Sequence, residues 1–414
     1  MIIVGGTYDE HVIAPQNEDL AGSGLRAAAA LAADADVRLI TAVDPMTQPV
    51  ADSVFMTYGV NATVIERDEP VGFQYFTPMS PPSIDGPSSS HSASLAGDDD
   101  TALVFGMVEG GPRDVRARRL VFDPQRPRDL AVLDLDGLRA DQTTIVANAR
   151  EIRALARGTH ELQTAAVQVL RMCGAEAVIV KDSARGCLVA TKSSDLVARV
   201  GPFPTTCVWP LGSGDVFAAA YAHAWSRGAE PEQAARIASS SAAWWCATRS
   251  ARVPADILGG TPVSGILSEA APELRVPDAP PLIYLAAPFF TLAERWLVEL
   301  CRKVLWGLGA EVFSPLHDVG PGGDEVAARD LDGLEEADAV LALLDGWDPG
   351  TVYEVGWAHR KGLPVVGFLN GSSHEGTKML VGTGAELHQD LSSALYRAVW
   401  AGQGHPLVPT RMAQ

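Results

Sequence analysis

Two stretches of this sequence combine carboxylates with glycine turns in patterns that could do chemistry. In the first, Pro210-Leu211-Gly212-Ser213-Gly214-Asp215 runs into VFAAAYAHAWSRG. Glycines at such a turn let backbone N–H groups converge on an anion, and the dipole of a following helix favours negative charge there. An aspartate beside that hole can take a proton from an attacking hydroxyl, which is what phosphoryl transfer needs. The same aspartate is also an ordinary helix cap, so the turn alone does not separate the two roles. The second stretch is Trp347-Asp348-Pro349-Gly350-Thr351-Val352-Tyr353-Glu354-Val355-Gly356, with Asp330 upstream. A carboxylate held against a sugar anomeric carbon can form a covalent glycosyl intermediate while a second carboxyl manages the proton on the leaving base. Thr351-x-x-Glu354 is equally a capping box.

Both stretches need scaffolding. Val216, Phe217, Ala220, Tyr221, Ala224 and Trp225 recur at helical spacing and Gly228 is a stop, so the Gly-Ser-Gly-Asp turn opens a helix. Around the second stretch, LIYLAAP from residue 282 reads as a buried strand. A helix carrying Leu292, Trp296, Leu297, Leu300, Val304 and Leu305 follows, and later the strand AVLALLDG. The Pro349-Gly350 turn then starts a helix with Thr351 near its cap and Glu354 in its first turn. Asp330, Asp348 and Glu354 converge only if the two strands are neighbours, because ligands of open α/β sheets bind at strand C-terminal ends.

Elsewhere MIIVGG, GLRAAAALAADA, VRLITAV and AEAVIVKD alternate strand-like with helical character, which predicts an α/β fold with a largely parallel sheet. Residues 77–100, TPMSPPSIDGPSSSHSASLAGDDD, read as a loop or lid with no core element. Proline recurs through residues 260–281. The expected organisation is therefore a domain over 1–259, a Pro-rich linker over 260–281 and a smaller domain over 282–414.

Composition narrows the function classes. The chain has 414 residues, 47% of them hydrophobic, and 32 Lys and Arg against 51 Asp and Glu give a formal charge of −19. That excludes a disordered chain and disfavours a nucleic acid polymer as partner, since such footprints are basic. Small anions remain available to helix N-termini. The five cysteines are scattered, with no CxxC pair, which is reduced-compartment usage without a zinc knuckle. No signal-like start and no run of about 18 apolar residues is present, so a cytoplasmic protein with no membrane partner is expected. The stretch from Gly371 to Lys378 has P-loop glycine spacing but places Thr377 before Lys378, the reverse of the order that motif needs. Trp244 and Trp245 read as core or interface, and His317-Asp318 as a turn pair.

Further residues extend the first pattern. Asn148-Ala149-Arg150-Glu151 follows TTIVA, Lys181, Arg185 and Gly186 lie in AEAVIVKDSARGCLVAT, and Phe122-Asp123-Pro124 ends an apolar run. In order and spacing, residues 1–258 resemble the ribokinase-like (PfkB) family of sugar and nucleoside kinases. The resemblance implies ATP and Mg²⁺ as cofactors, with Asn148 and Glu151 organising the metal indirectly. Gly212, Ser213, Gly214, Lys181 and Gly186 would then hold the nucleotide, Asp215 would be the base on the acceptor hydroxyl, and Asp9 and Gly22 would contact substrate. The chain departs from the family where Trp209, Pro210 and Leu211 replace Asp-Thr-x. It departs again where Arg26 replaces a substrate-contacting amide, which suits an anionic substrate or a rebuilt pocket.

Residues 282 to about 400 resemble the nucleoside 2-deoxyribosyltransferase family and its N-glycoside hydrolase relatives, through IYLAAPFF, Asp330 and the D-x-G-T-x-x-E-x-G run from Asp348. By that resemblance Glu354 is the nucleophile, Asp348 and Asp330 contact the base or assist proton transfer, and Tyr284 positions Glu354. Family members often complete the site from a neighbouring subunit near Asn-x-Met, so a homo-oligomer, at least a dimer, is expected. Here the stretch reads Thr377-Lys378-Met379-Leu380, and Thr377 beside Lys378 suits a 5′-phosphate at least as well as a 5′-hydroxyl. The fold expected is thus α/β throughout: a ribokinase-like domain with a lid, then a smaller Rossmann-like (flavodoxin-like) parallel-sheet domain. The function expected is a bifunctional enzyme that phosphorylates a sugar or nucleoside hydroxyl and cleaves or transfers at an N-glycosidic bond of a nucleoside, nucleotide or related sugar. Arg26 and Lys378 favour a kinase step that precedes cleavage. The alternative keeps only the glycosidic chemistry, with the kinase-like domain as a silent ligand sensor or oligomerisation module. The base, ribose against 2-deoxyribose, and transfer against hydrolysis stay open.

Overall fold

The computed structural model describes residues 1–86, 93–125, 132–371 and 374–408, with only the backbone described at 374 and 375. Two units emerge. Met1–Asp182, Gly186–Thr205 and Trp209–Glu273 form the first, and Ser183–Arg185, Thr206–Val208 and Leu274–Gln414 form the second.

In the first unit the chain runs β1 (Ile2–Val4), β2 (Tyr8–Val12), β3 (Asn17–Ala21), α1 (Ser23–Leu31), β4 (Arg38–Val43), α2 (Gln48–Tyr58), β5 (Asn61–Glu66), β6 (Gly72–Tyr75) and β7 (Ser83–Asp85). It continues with β8 (Leu95–Phe105), β9 (Arg113–Asp123), β10 (Leu138–Asn148), α3 (Ala149–Leu155), α4 (Leu162–Cys173), β11 (Ala177–Lys181), β12 (Cys187–Thr191), β13 (Ala198–Val200), α5 (Ser213–Ser226), α6 (Pro231–Thr248) and α7 (Ala255–Leu258). Among the described residues nine strands make one sheet in the order β13-β12-β11-β10-β9-β8-β1-β4-β5. Pairing is parallel from β5 to β11 and antiparallel only at the β12 and β13 edge. Central strands of such a sheet are covered on both faces, which is why they read as unbroken apolar runs. Ile3, Leu39, Leu103 and Val121 face α1, α5 and α6, while Ile2, Ile40, Phe122 and Ile145 face α3 and α4.

A second sheet, β3-β2-β6-β7, stands apart from the nine strands and forms the lid. The stretch 77–100 contributes β7 to it, and residues 87–92 lie outside the described residues. The expectation of no core element there is corrected by Leu95–Asp100, which begin β8, with Leu95 buried. The acidic triplet hid the strand because its outer half carries charge: Asp100 accepts from Arg118 of β9 at 2.7 and 3.1 Å. The Pro-rich stretch 260–281 is divided. Val263 is buried and donates to Ser240 Oγ at 2.8 Å, and Glu273 accepts from Gly201 and Arg236, so the part up to Glu273 packs with the first unit.

The second unit runs β14 (Leu282–Ala286), α8 (Leu292–Gly307), β15 (Glu311–Phe313), α9 (Val326–Glu336), β16 (Ala339–Leu343), α10 (Pro349–Lys361), β17 (Val365–Phe368), α11 (His374–Gly382), β18 (Glu386–His388) and α12 (Leu391–Gly402). Its sheet is parallel throughout, in the order β15-β14-β16-β17-β18. That order reverses direction beside β14, so the crevice for a ligand opens between the C-terminal ends of β14 and β16. The start of α10 differs from the sequence expectation. Asp348 is the N-cap, accepting from Thr351 N, and Glu354 sits in the second turn, where it cannot close a capping box. Among the described residues no helix is long and apolar enough to cross a membrane.

Candidate active sites

In the second unit the crevice holds a carboxylate cluster. Tyr284, on β14, is fully buried, stacks on Phe313 with centroids 5.4 Å apart, and donates its phenol to Glu354 Oε1 at 2.8 Å. Burial pushes the Glu354 carboxyl up to about 7, Asp330 and Asp348 push the same way, and the Tyr284 hydrogen bond opposes them. Burial and the Glu354 charge hold the Tyr284 phenol far above its usual range, so it stays a donor. Asp330, on α9, has its carboxyl raised by burial against the pull of Arg329, and its Oδ1 is buried without a hydrogen-bond partner. Asp348 commits Oδ2 to Thr351, accepting from N at 2.7 Å and from Oγ1 at 2.9 Å. The loop that aims Asp348 is forced: Trp347 has φ 54°, a left-handed conformation rare for a side chain of that bulk. β14 and β16 thus bring Tyr284, Asp330, Asp348 and Glu354 together.

Thr377 is buried on α11, and the exposed Lys378 follows it. In the P-loop-like stretch, residues 372 and 373 lie outside the described residues and the chain is helical from 374. His317 and Asp318 serve local structure, Asp318 accepting from Ser314 N at 2.7 Å and His317 pairing with Glu299 at 2.7 Å.

In the first unit Gly212 caps α5 at φ 83°, a conformation that favours glycine, and an added Cβ would overlap the Arg26 guanidinium. Ser213, Gly214 and Asp215 form the first helical turn. Asp215 makes no capping bond. Its Oδ2 accepts from Arg26 Nη1 at 2.5 Å and its Oδ1 from Gln125 Nε2 at 2.7 Å. Arg26 donates its other terminal nitrogen to Glu10 at 2.6 Å and lies 5.4 Å from the Trp245 ring centroid. Burial works against the guanidinium charge, but Glu10 and then Asp215 hold it firmly protonated. Lys181 pairs with the buried Asp123 at 2.5 Å, and a Cβ on Gly214 would stand 3.3 Å from its ammonium, so this cation faces the helix N-terminus. Burial would lower Lys181, but Asp123 and Glu151 keep it raised.

The other predicted residues of this unit have plainer neighbours. Asn148 and Glu151 close a reciprocal capping box on α3 at 2.9 and 2.8 Å. Gly22 donates to Glu10 Oε1 at 3.0 Å, and Gly186 turns at φ 77° between β11 and β12. Asp9 stands on β2 with its carboxyl raised by partial burial and Asp44, against Arg67, rather than beside Asp215. Among the described residues no group of three or more His, Cys, Asp or Glu is arranged to hold a metal. Mg²⁺ usually arrives with substrate phosphates and needs only one or two carboxylates. Asp123, whose Oδ1 is buried without a partner, shares one field with Glu151, Asp215 and Lys181, so the donor set fits an ion carried in by a nucleotide.

Sequence reasoning missed Glu10 and Gln125, the groups that fix Arg26 and Asp215. It also missed a buried network under the lid, in which Arg67 pairs with Asp44 and Glu109 at 3.3 Å each and Tyr8 donates to Glu109 at 2.6 Å. No local pattern marks these residues, because the partners named here are 16 to 101 positions away. A cavity of about 290 Å³ lies against Arg26 and Glu10, walled by Trp209, Trp245, Leu211 and Arg249.

Fold and sites together define a two-part α/β chain: a unit whose largely parallel nine-stranded sheet carries a separate four-stranded sheet, then a Rossmann-like unit of flavodoxin-like strand order. Residues 114–258 match the pfkB family carbohydrate kinases, and residues 283–388 match the nucleoside 2-deoxyribosyltransferases. Each unit thus resembles a different enzyme family. Among solved structures, Thermotoga maritima ribokinase is 18% identical, covering 62% of this chain and 97% of its own, with a TM-score of 0.46. Escherichia coli phosphofructokinase-2 is 12% identical over 63% of this chain and 96% of its own, with a TM-score of 0.47. The Methanocaldococcus jannaschii nucleoside kinase is 12% identical over 59% and 91%, with a TM-score of 0.43. No curated protein matches the chain.

Proposed function

We propose a bifunctional enzyme of nucleoside or nucleotide metabolism. The second unit breaks or transfers at an N-glycosidic bond, and the first transfers a phosphoryl group to a sugar or nucleoside hydroxyl. The observation that carries the reading is the Glu354 cluster, a largely buried carboxylate oriented by a phenol with the unpartnered Asp330 oxygen nearby. Glu354 attacks the anomeric carbon, the base departs with the bonding pair, and Asp330 or Asp348 supplies its proton. In the first unit Asp215 receives the hydroxyl proton, while Lys181 and the α5 N-terminus stabilise negative charge. ATP with Mg²⁺, when bound, supplies the phosphoryl group. The partners proposed are small molecules and further copies of the chain, in the cytoplasm.

Incubation with ATP, Mg²⁺ and a nucleoside and nucleotide panel tests both halves. Free base is followed by chromatography and ADP by a coupled assay. Base release from no member would sink the glycosidic reading. A second reading, a silent first unit, is favoured by one observation: both Asp215 oxygens are already engaged. Calorimetry with an ATP analogue separates the two, since a silent unit gives no binding heat.

Tyr284→Phe keeps the stacking on Phe313 but removes the hydrogen bond that lowers the Glu354 pKa. The acid limb of the base-release profile should therefore move to higher pH, with the rate at pH 7 falling about tenfold. An unmoved limb would mean that Tyr284 does not tune Glu354.

A further inference from the structure

We infer that the acceptor phosphorylated by the first unit already carries a phosphate, as a pentose 5-phosphate or a nucleoside 5′-monophosphate does. The inference rests on the proposed role of Asp215 as base and asks what would free that base to act. A carboxylate that is to receive a proton needs an oxygen open to the incoming hydroxyl. Each Asp215 oxygen already accepts one hydrogen bond, Oδ1 from Gln125 at 2.7 Å and Oδ2 from Arg26 at 2.5 Å, so an incoming hydroxyl competes with one of these donors.

Arg26 is the partner that can be exchanged, but not for nothing. It is only 8% exposed, and its two anchors are Glu10 and Asp215. Taking one anion away from a buried guanidinium is strongly unfavourable unless another replaces it. The hydroxyls of a neutral sugar make no such replacement. A phosphate does, since its oxygens match the planar fork of a guanidinium.

The fold offers a place for that phosphate. Arg26 lines the cavity of about 290 Å³ and bonds Asp215 through Nη1, so its side chain links the cavity to the base. A second cation, Arg249, lies on the same wall, 4.1 Å from the Trp209 ring centroid, where it donates to Asn17 Oδ1 at 2.5 Å and pairs with the exposed Asp19 at 3.6 Å. The volume is near the lower end for small-ligand pockets, which suits a phosphorylated pentose. A phosphate there takes the Arg26 fork, and Asp215 Oδ2 is released toward the hydroxyl. The acceptor oxygen then bonds to the γ-phosphorus and its proton passes to Asp215. The bond from phosphorus to the bridging oxygen breaks, and ADP leaves with the electron pair. The product carries two phosphoryl groups. A reaction that supplies such an acceptor is hydrolysis of a nucleoside 5′-monophosphate at its N-glycosidic bond, the chemistry proposed for the second unit. Cleavage then precedes phosphorylation, the reverse of the order Arg26 suggests from sequence alone.

The test uses the full chain with ribose, ribose 5-phosphate, a nucleoside and its 5′-monophosphate, reading ADP formation, and calorimetry of the same ligands on the Glu354→Ala chain. Phosphorylated acceptors should exceed their neutral counterparts at least about tenfold in kcat/KM. Arg26→Asn should collapse or invert that ratio, and Arg26→Lys, which keeps the charge without the fork, should reduce it. A ratio near one in the wild type, or one unchanged in both variants, overturns the inference. If no acceptor yields ADP, the kinase reading fails by itself and binding decides. Ribose 5-phosphate heat lost in Arg26→Asn and retained in part by Arg26→Lys upholds phosphate recognition at Arg26, and heat indifferent to both variants refutes it. Circular dichroism identifies a variant that fails to fold, in which case the Lys variant and the wild-type ratio carry the decision.

Discussion

Glu354→Gln should lower base release by at least about 10³-fold while making the second unit more stable above pH 7. Both effects come from one carboxylate. Removing a nucleophile typically removes most of the rate, because no other group can form the covalent bond. The amide keeps size and shape, so Tyr284 and Phe313 remain packed. The stability effect follows from the raised pKa, about 7 in the fold against 4.5 for an unperturbed glutamate. A raised acid binds its proton more tightly folded than unfolded, so wild-type stability declines as pH rises from about 4.5 to about 7. The amide of the Glu354→Gln variant cannot ionise and escapes that loss, which amounts to an upper limit on the order of 3 kcal/mol. Melting of the second unit should therefore match wild type near pH 4 and exceed it at pH 8. The wild-type base-release rate should fall as pH drops below about 7, where Glu354 takes up its proton. Base release that survives in the mutant would remove Glu354 from the mechanism. A mutant that melts like wild type at pH 8 would show that the buried carboxylate is not under strain.

Asp215→Asn carries the second large effect. A positioned general base typically contributes 10² to 10⁴-fold, so ADP formation should drop by about that factor while base release is untouched. Stability should move the other way from Glu354→Gln. Arg26 is nearly fully buried and would lose one of its two anions, which costs about 3 kcal/mol or more. Melting of the first unit at pH 7 checks this, and a mutant with full ATP turnover would show that Asp215 only anchors Arg26.

Several residues owed their meaning to local pattern. Glycine at 212 is readable because the turn into α5 needs a positive φ, and α5 itself from the recurrence of Val216, Phe217 and Ala220. Strand β14 is readable as an apolar run because parallel strands are covered on both faces. Other features were misread because a local rule met a tertiary exception. The polar run Gly97-Asp98-Asp99-Asp100 belongs to β8, where Arg118 across the pair neutralises Asp100 and the N-terminal ammonium pairs with Asp99. Thr351 resembled a cap until Asp348 took that place.

By itself the sequence determined the α/β alternation, the glycine turns and the helix that Asp215 opens, since these depend on contacts within a few positions of chain. Only the tertiary structure decided what those acids face. It set Tyr284 against Glu354 across 70 positions and Arg26 against Asp215 across 189. Whether a carboxylate is poised or occupied depends on desolvation and on the charge beside it, and both are properties of the folded chain.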